Sequence, residues 1–394
     1  MDFQKSFQNL KTYCEKENYK GWDPYDGLNS KIFQATPLKH WAFSRLAWIQ
    51  LFKQNPVNLR KLLLVPKGYN PKALGLFLTG YCNLYKLAKQ GDEEFGSQDE
   101  ITVKIKYLAD LLLELKTPGY SGACWGYNFD WQARSFFFPK YTPTVVATSF
   151  CAIALFNAYE TTKNERYRKV ALSSANFVIK DLKRTKKQFG FLFSYAPIPG
   201  NNTVYNASLL GSKLLSLCYH YEKKVEFADA AKGSVAACIN AQQEDGSWIY
   251  GERSSQTWID SFHTGYNLEA LQIYMDCTGD NSVTTAIKKG ADFYLSHFFE
   301  KDGTPKYYHD RTYPIDIHCP AQIVVTLHHL NKISENCELI DKVLNWTVVN
   351  MQDKSGYFYY QLKKGCSSKI SYMRWSNAFM FYAFSYYYLA KTEI

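Results

Sequence analysis

Apolar residues recur at helical spacing through most of the chain, and the runs are of two kinds. Segments 41–53, 100–115, 164–182, 225–242, 282–299 and 335–351 carry charges opposite their apolar positions and read as helices with one face in water. The other kind is apolar nearly all round, as in Ala207-Ser208-Leu209-Leu210-Gly211, Ile323-Val324-Val325 and Ala378-Phe379-Met380-Phe381. Such a helix must have neighbours on every side. These second helices open at Pro71, Pro143, Asn206, Gly265, Pro320 and Ser376, at intervals of 55–72 residues. Five of them follow a turn glycine and a short aromatic strand: Gly126-Tyr127-Asn128-Phe129, Gly190-Phe191-Leu192-Phe193, Gly246-Ser247-Trp248-Ile249-Tyr250, Gly303 to Tyr307-Tyr308, and Gly356-Tyr357-Phe358-Tyr359. Six units of two helices predict an all-α fold, an (α/α)6 toroid of inner and outer helices with short aromatic β-hairpins at one end. No Pro/Gly/Ser-rich linker or charge block interrupts the units. Residues 1–394 therefore read as a single toroid domain, with residues 1–40 an N-terminal extension packing on the ring.

Composition adds one fact that bears on function. Aromatic residues make up 17% of the chain, with 31 tyrosines and 9 tryptophans. Buried Tyr and Trp need polar partners, so many are expected to line a wet cavity. The ten cysteines are scattered without a CxxC pair, as expected of reduced residues in a cytoplasmic protein. No signal peptide and no run long enough to span a bilayer is visible, so no membrane insertion is expected. The formal charge of +10 fits a lysine-rich surface or an acidic ligand. The basic residues form no nucleic-acid-binding motif, which argues against nucleic acid as a partner.

In this architecture the five hairpins and the starts of the inner helices share one end. Polar residues gather there, and helix N-termini supply free N–H groups that suit a carboxylate. His263 and His318 open successive inner helices, so they can act as a proton-abstracting pair, or work with Tyr266 or Tyr313 as the acid. Asp260 and Asp316 sit at the same starts. They are N-caps on one reading, and the acid and base of a glycoside hydrolase on another. Arg374 is suited to fork a carboxylate, and Arg134, Arg253 and Arg311 stand on the hairpins around it. Trp248, Trp258 and Trp375 are candidate stacking walls for sugar rings. Tyr141, Tyr205, Asn206, Asn267, Gln322 and Asn377 complete the candidate substrate-binding set. No HExxH or paired-cysteine pattern exists, so neither a metal nor another cofactor is expected. The segment Trp22 to Ser30 is too rich in turn formers to be helical; it reads as a lid over the bowl or, preferably, as a plug at the opposite end of the ring.

Two resemblances bear on these residues. Gln242-Gln243-Glu244-Asp245-Gly246-Ser247-Trp248 is similar to the Q-x-x-x-G-x-W repeat of triterpene cyclases and prenyltransferase barrels, and Gln352 to Phe358 is a weaker copy. That likeness implies architecture only, because the Asp-x-Asp-Asp acid motif of those enzymes is missing. The segments Gly21 to Ser30, Tyr313-Pro314-Ile315-Asp316-Ile317-His318 and Arg374-Trp375-Ser376-Asn377-Ala378 resemble bacterial exopolysaccharide and capsule biosynthesis proteins with an alpha/alpha-toroid fold. This resemblance implies a carbohydrate-active protein of surface polysaccharide biosynthesis. Its expected partner is an acidic oligosaccharide or polysaccharide, or a lipid- or nucleotide-linked sugar. The expected chemistry is acid–base work at a uronate, either C5 epimerisation or β-elimination. A glycoside hydrolase, a non-catalytic glycan-binding or scaffold protein and, last, a terpene cyclase or prenyltransferase are the alternatives.

Overall fold

The structure, a computed structural model, describes residues 3–133 and 136–392. Arg134 lies outside the described residues. The inner helices are Pro71–Lys89, Val145–Thr162, Tyr205–Glu222, Ser261–Thr278, His318–His329 and Phe379–Lys391, the last entered through a π-helical turn at Met373–Ala378. Each packs on the next and the last on the first, so the ring is closed. Their starts fall within four residues of the positions read from the sequence.

Outside them lie Gln98–Glu114, Glu165–Asn176, Val225–Asn240, Thr284–His297 and Cys337–Met351. The sixth outer helix is Phe3–Lys16, not the expected segment 41–53. It packs on the last outer and last inner helices, with Phe7 against Phe381 and Phe384 and Ser6 bonded to Gln352. The repeat glycines explain this placement. Gly246 has φ of +91°, and a Cβ there would collide with the Lys289 carbonyl on the next outer helix; Gly356, at φ of +101°, meets the Asn9 backbone in the same way. Only glycine allows both the left-handed turn and the close approach.

Segment 41–53 does form a helix, Ala42–Gln54, but within the arm of residues 17–70 that joins Phe3–Lys16 to the inner helix Pro71–Lys89. This arm packs at the hairpin end. Trp48 donates to the Gly27 carbonyl, Asn29 to the Asn128 carbonyl, and the helix touches the strand Trp131–Gln132. Two of the five aromatic segments enter paired strands: Phe191–Phe193 with Arg184–Lys186, and Tyr359–Leu362 with Ile315–Asp316 and Ser368–Ser371. The first, 126–129, stops short of the strand Trp131–Gln132, which pairs with Phe137–Phe138, and makes only the isolated bridge Gly126 to Pro143. The expected strands at 248–250 and 307–308 are replaced by isolated bridges, Val204 to Gly251 and Asp260 to Tyr308.

The Trp248 motif works as a wedge between outer helices. Gln242 Nε2 donates to the carbonyls of Gly246 and Ala286, and the buried Trp248 indole donates to the Cys238 carbonyl. Trp248→Phe is expected to cost about 1–3 kcal/mol in urea unfolding, since it leaves that carbonyl unsatisfied and a void against Gly290. Ligand binding by the folded variant should be unchanged.

Two turns along the inner helices lies a buried ion pair of Lys213 and Glu269. His329 and Gln322 complete the contacts of this carboxylate at 3.3 and 3.4 Å. This polar network ties together the inner helices Tyr205–Glu222, Ser261–Thr278 and His318–His329.

Candidate active site

At the hairpin end the starts of the inner helices surround a basin of about 340 Å³. Its wall is aromatic: Tyr25, Trp131 and Trp375 form one side, with ring centroids 5.8 Å apart in each Tyr25 pair, and Trp258 stacks on Tyr250 opposite. Lys53, Lys72, His263, His318 and Arg374 supply its basic groups, and no carboxylate occurs among the described lining residues.

His263 is held in one orientation by its own helix start. Asp260 caps the helix through the His263 N–H and accepts the ring Nδ1–H at 2.7 Å. Its Oδ2 also takes the Trp258 indole at 2.8 Å. The bond assigns the proton to Nδ1 and leaves Nε2 with a free lone pair on a ring that is one-fifth exposed to the basin. Asp260 is thus both cap and orienter, and it stands behind the histidine.

His318 has a different role. It is buried between Phe262 and Phe379, and its Nε2 is 2.5 Å from the Tyr266 hydroxyl. Burial first, then Lys72, holds its pKa well below the usual histidine value, so the ring is neutral. Tyr266 is pushed well above the ordinary tyrosine value, by burial and then by Glu269; it keeps its proton and is equipped to give it up only to a strong base. Lys72 Nζ lies 3.4 Å from the same hydroxyl. The two histidines therefore do not form an equivalent pair: His263 is available as a base, and His318 positions Tyr266.

Lys72 escapes the sequence reading. It sits in the first turn of the first inner helix, capped by Asn70, and its amine lies over Phe150 at 4.2 Å without an ion pair among the described residues. Burial and then Arg374 hold its pKa well below the usual lysine range. The signal was a charged residue inside a stretch that must be buried all round.

Arg374 lines the basin, yet its fork is already filled. Nε and Nη2 bond the two Asp23 oxygens at 2.5 and 2.8 Å, so it is a structural ion pair and not a free carboxylate anchor. That pair also fixes the Trp22 to Ser30 segment over the mouth, where Tyr25 enters the basin. The segment is a lid-side wall, not a plug. Asp316 accepts from the His318 N–H, the Trp375 indole and Gln361; burial raises its carboxyl to about 6. It faces an adjoining groove shared with Tyr313, which is half exposed there and away from His263.

The remaining candidates divide cleanly. Asn206, Trp258, Tyr266 and Trp375 line the basin, and Asn267 reaches only a crevice behind His263. Trp248 is the wedge described above, and Tyr205 bonds Glu252. Gln322 belongs to the Lys213–Glu269 network, Asn377 ties Phe358 to Ser371, and Tyr141 is exposed on its hairpin. Of the other arginines, Arg253 bonds the Gly200 carbonyl, and Arg311 stacks on Tyr308 beside the adjoining groove.

No helix among the described residues is long and apolar enough to cross a membrane, and no group of three or more His, Cys, Asp or Glu is arranged to hold a metal. No family model matches the sequence, and no curated protein does. Solved structures do. The GH76 alpha-mannanase of Bacteroides thetaiotaomicron superposes with a TM-score of 0.63 at 14% identity, over 82% of this chain and 87% of the mannanase. The cellobiose 2-epimerase of Bacillus thermoamylovorans gives 0.59 at 13%, over 82% and 89%. An unsaturated glucuronyl hydrolase specific for heparin gives 0.62 at 14%, over 99% and 98%. At these identities the likeness is one of fold, and the chain shares with all three an alpha/alpha toroid.

Proposed function

We propose that this chain is a carbohydrate-active enzyme acting on an acidic, uronate-type glycan or linked sugar in the assembly of a surface polysaccharide, by proton transfer at the carbon next to the carboxylate. The observation that carries this reading is a basin with aromatic walls and five basic side chains but no lining carboxylate among the described residues. Aromatic faces stack sugar rings, and the toroid neighbours are by name enzymes of mannan, cellobiose and unsaturated glucuronyl substrates. The ten unpaired cysteines fit work in a reducing compartment.

In this scheme His263 Nε2 takes the C5 proton while the Lys72 ammonium, protonated as the ligand binds, holds the charge that spreads onto the carboxylate. Return of a proton from the Tyr266 hydroxyl to C5 completes epimerisation. Departure of the C4 oxygen, protonated by the same hydroxyl, completes elimination. The test is incubation of uronate oligosaccharides in deuterium oxide. Deuterium at C5, or an unsaturated product absorbing in the ultraviolet, supports the reading; hydrolysis without exchange overturns it.

Binding should also move a proton. The Lys72 amine is low in the empty site, and an incoming carboxylate raises it, so an acidic glycan takes up a proton as it binds. Affinity then falls as pH rises between the free and bound values. Calorimetry in two buffers of different ionisation enthalpy measures the uptake, and Lys72→Met should remove it. The hydrolase reading draws on one observation, the Asp316 carboxyl raised to about 6, as a general acid needs. All three of its bonds are nevertheless spent inside the fold.

A further inference from the structure

The arm of residues 17–70 leaves a second surface that the basin does not use. Phe33, Leu38, Trp41, Phe43, Trp48 and Leu51 line an open apolar groove of about 550 Å³. Phe43 is 84% exposed and Trp41 59%, in a region where Leu62 is also 74% exposed. The loop carrying Leu62 is tied to the same place, since the Leu63 and Leu64 carbonyls accept from Ser30 Oγ and the Lys31 N–H. Large exposed side chains grouped in this way mark a docking surface.

The charge pattern says what docks. Between Asp26 and Asp92 the sequence contains no Asp or Glu, while Lys31, Lys39, His40, Arg45, Lys53, Arg60, Lys61, Lys67 and Lys72 fall within it. Arg60 is spent on Asp26 and Lys67 on Glu17. Lys31 and Lys61 are exposed and make no ion pair among the described residues. Exposed Trp, Phe and Leu beside unpaired lysines are the chemistry of a face that rests at the headgroup level of an anionic bilayer. A second copy of the same face would bring together two sets of lysines that make no ion pair among the described residues, which like-charge repulsion opposes.

We propose that the groove and its lysines dock this protein peripherally on an anionic lipid surface, with the arm that walls the basin held against the membrane. The proposal stands apart from the assigned chemistry, because its test reads binding and not turnover. The full chain is floated with vesicles of phosphatidylcholine alone or mixed with phosphatidylglycerol, at low and high salt. Binding is expected to the mixed vesicles only and to weaken with salt. The double variant Trp41→Ser/Phe43→Ser should lower partitioning roughly tenfold or more at an unchanged melting temperature, since both side chains are exposed; Lys31→Glu/Lys61→Glu should do the same. Flotation with neither vesicle, or equal flotation of the variants, overturns the proposal. So does a wild-type dimer in light scattering that these variants abolish, which would assign the face to self-association, and so does salt-sensitive binding that only an acidic protein and no vesicle provides.

Discussion

His263→Ala is expected to lower turnover of an acidic glycan by about 10²–10⁴-fold, with melting temperature and glycan affinity nearly unchanged. The Asp260 bond leaves the Nε2 lone pair of this ring oriented toward the basin, and little of the fold depends on it. Asp260→Asn should be almost as damaging. The amide would present N–H to Nδ1, push the ring proton onto Nε2 and remove the base, as tautomer control requires. Asp316→Asn separates the readings. It should leave deuterium exchange at C5 intact, whereas a hydrolase dependent on that carboxyl would lose its activity. Steady-state rates for the three variants, with thermal melts as a control on folding, check the prediction. If Asp316→Asn alone is inactive, the His263 scheme fails.

Asp23→Ala is the second large effect, and it acts on stability. It strands the Arg374 guanidinium, buried beside Lys72, without a counter-ion. Breaking one side of a buried ion pair costs about 3–5 kcal/mol. Arg374→Met/Asp23→Leu removes both charges and should recover much of that loss. A double-mutant cycle in urea measures the difference. The Asp23 variant should also loosen the segment carrying Tyr25, seen as faster amide exchange over residues 22–30, because Asp23 joins that segment to the inner ring.

The ring was legible in the sequence because repetition is a one-dimensional signal. The glycines at Gly190, Gly246, Gly303 and Gly356 mark a contact made again in four successive units, and helices buried all round have no polar face to hide. Direction around a helix was harder to read. Neighbouring positions differ by about 100°, so Tyr266 reaches the basin while Asn267 turns into the crevice, and Trp248 wedges between helices where Trp258 stacks on the wall. Partners distant in sequence were invisible too. Nothing beside Arg374 announces that Asp23 fills its fork, and nothing beside Lys72 says that its amine lies against the Tyr266 hydroxyl. The arm misled for a related reason: its helix has the same spacing as an outer helix, and only the bed offered at Gly356 decides that Phe3–Lys16 takes the place instead.

That seating of Phe3–Lys16 has a consequence for how the molecule assembles. Ser6 and Gln352 are 346 positions apart, so helix Phe3–Lys16 is made long before the segment it packs on, and its apolar stripe stays uncovered meanwhile. A seam between segments so far apart closes a long loop, which costs chain entropy and slows folding.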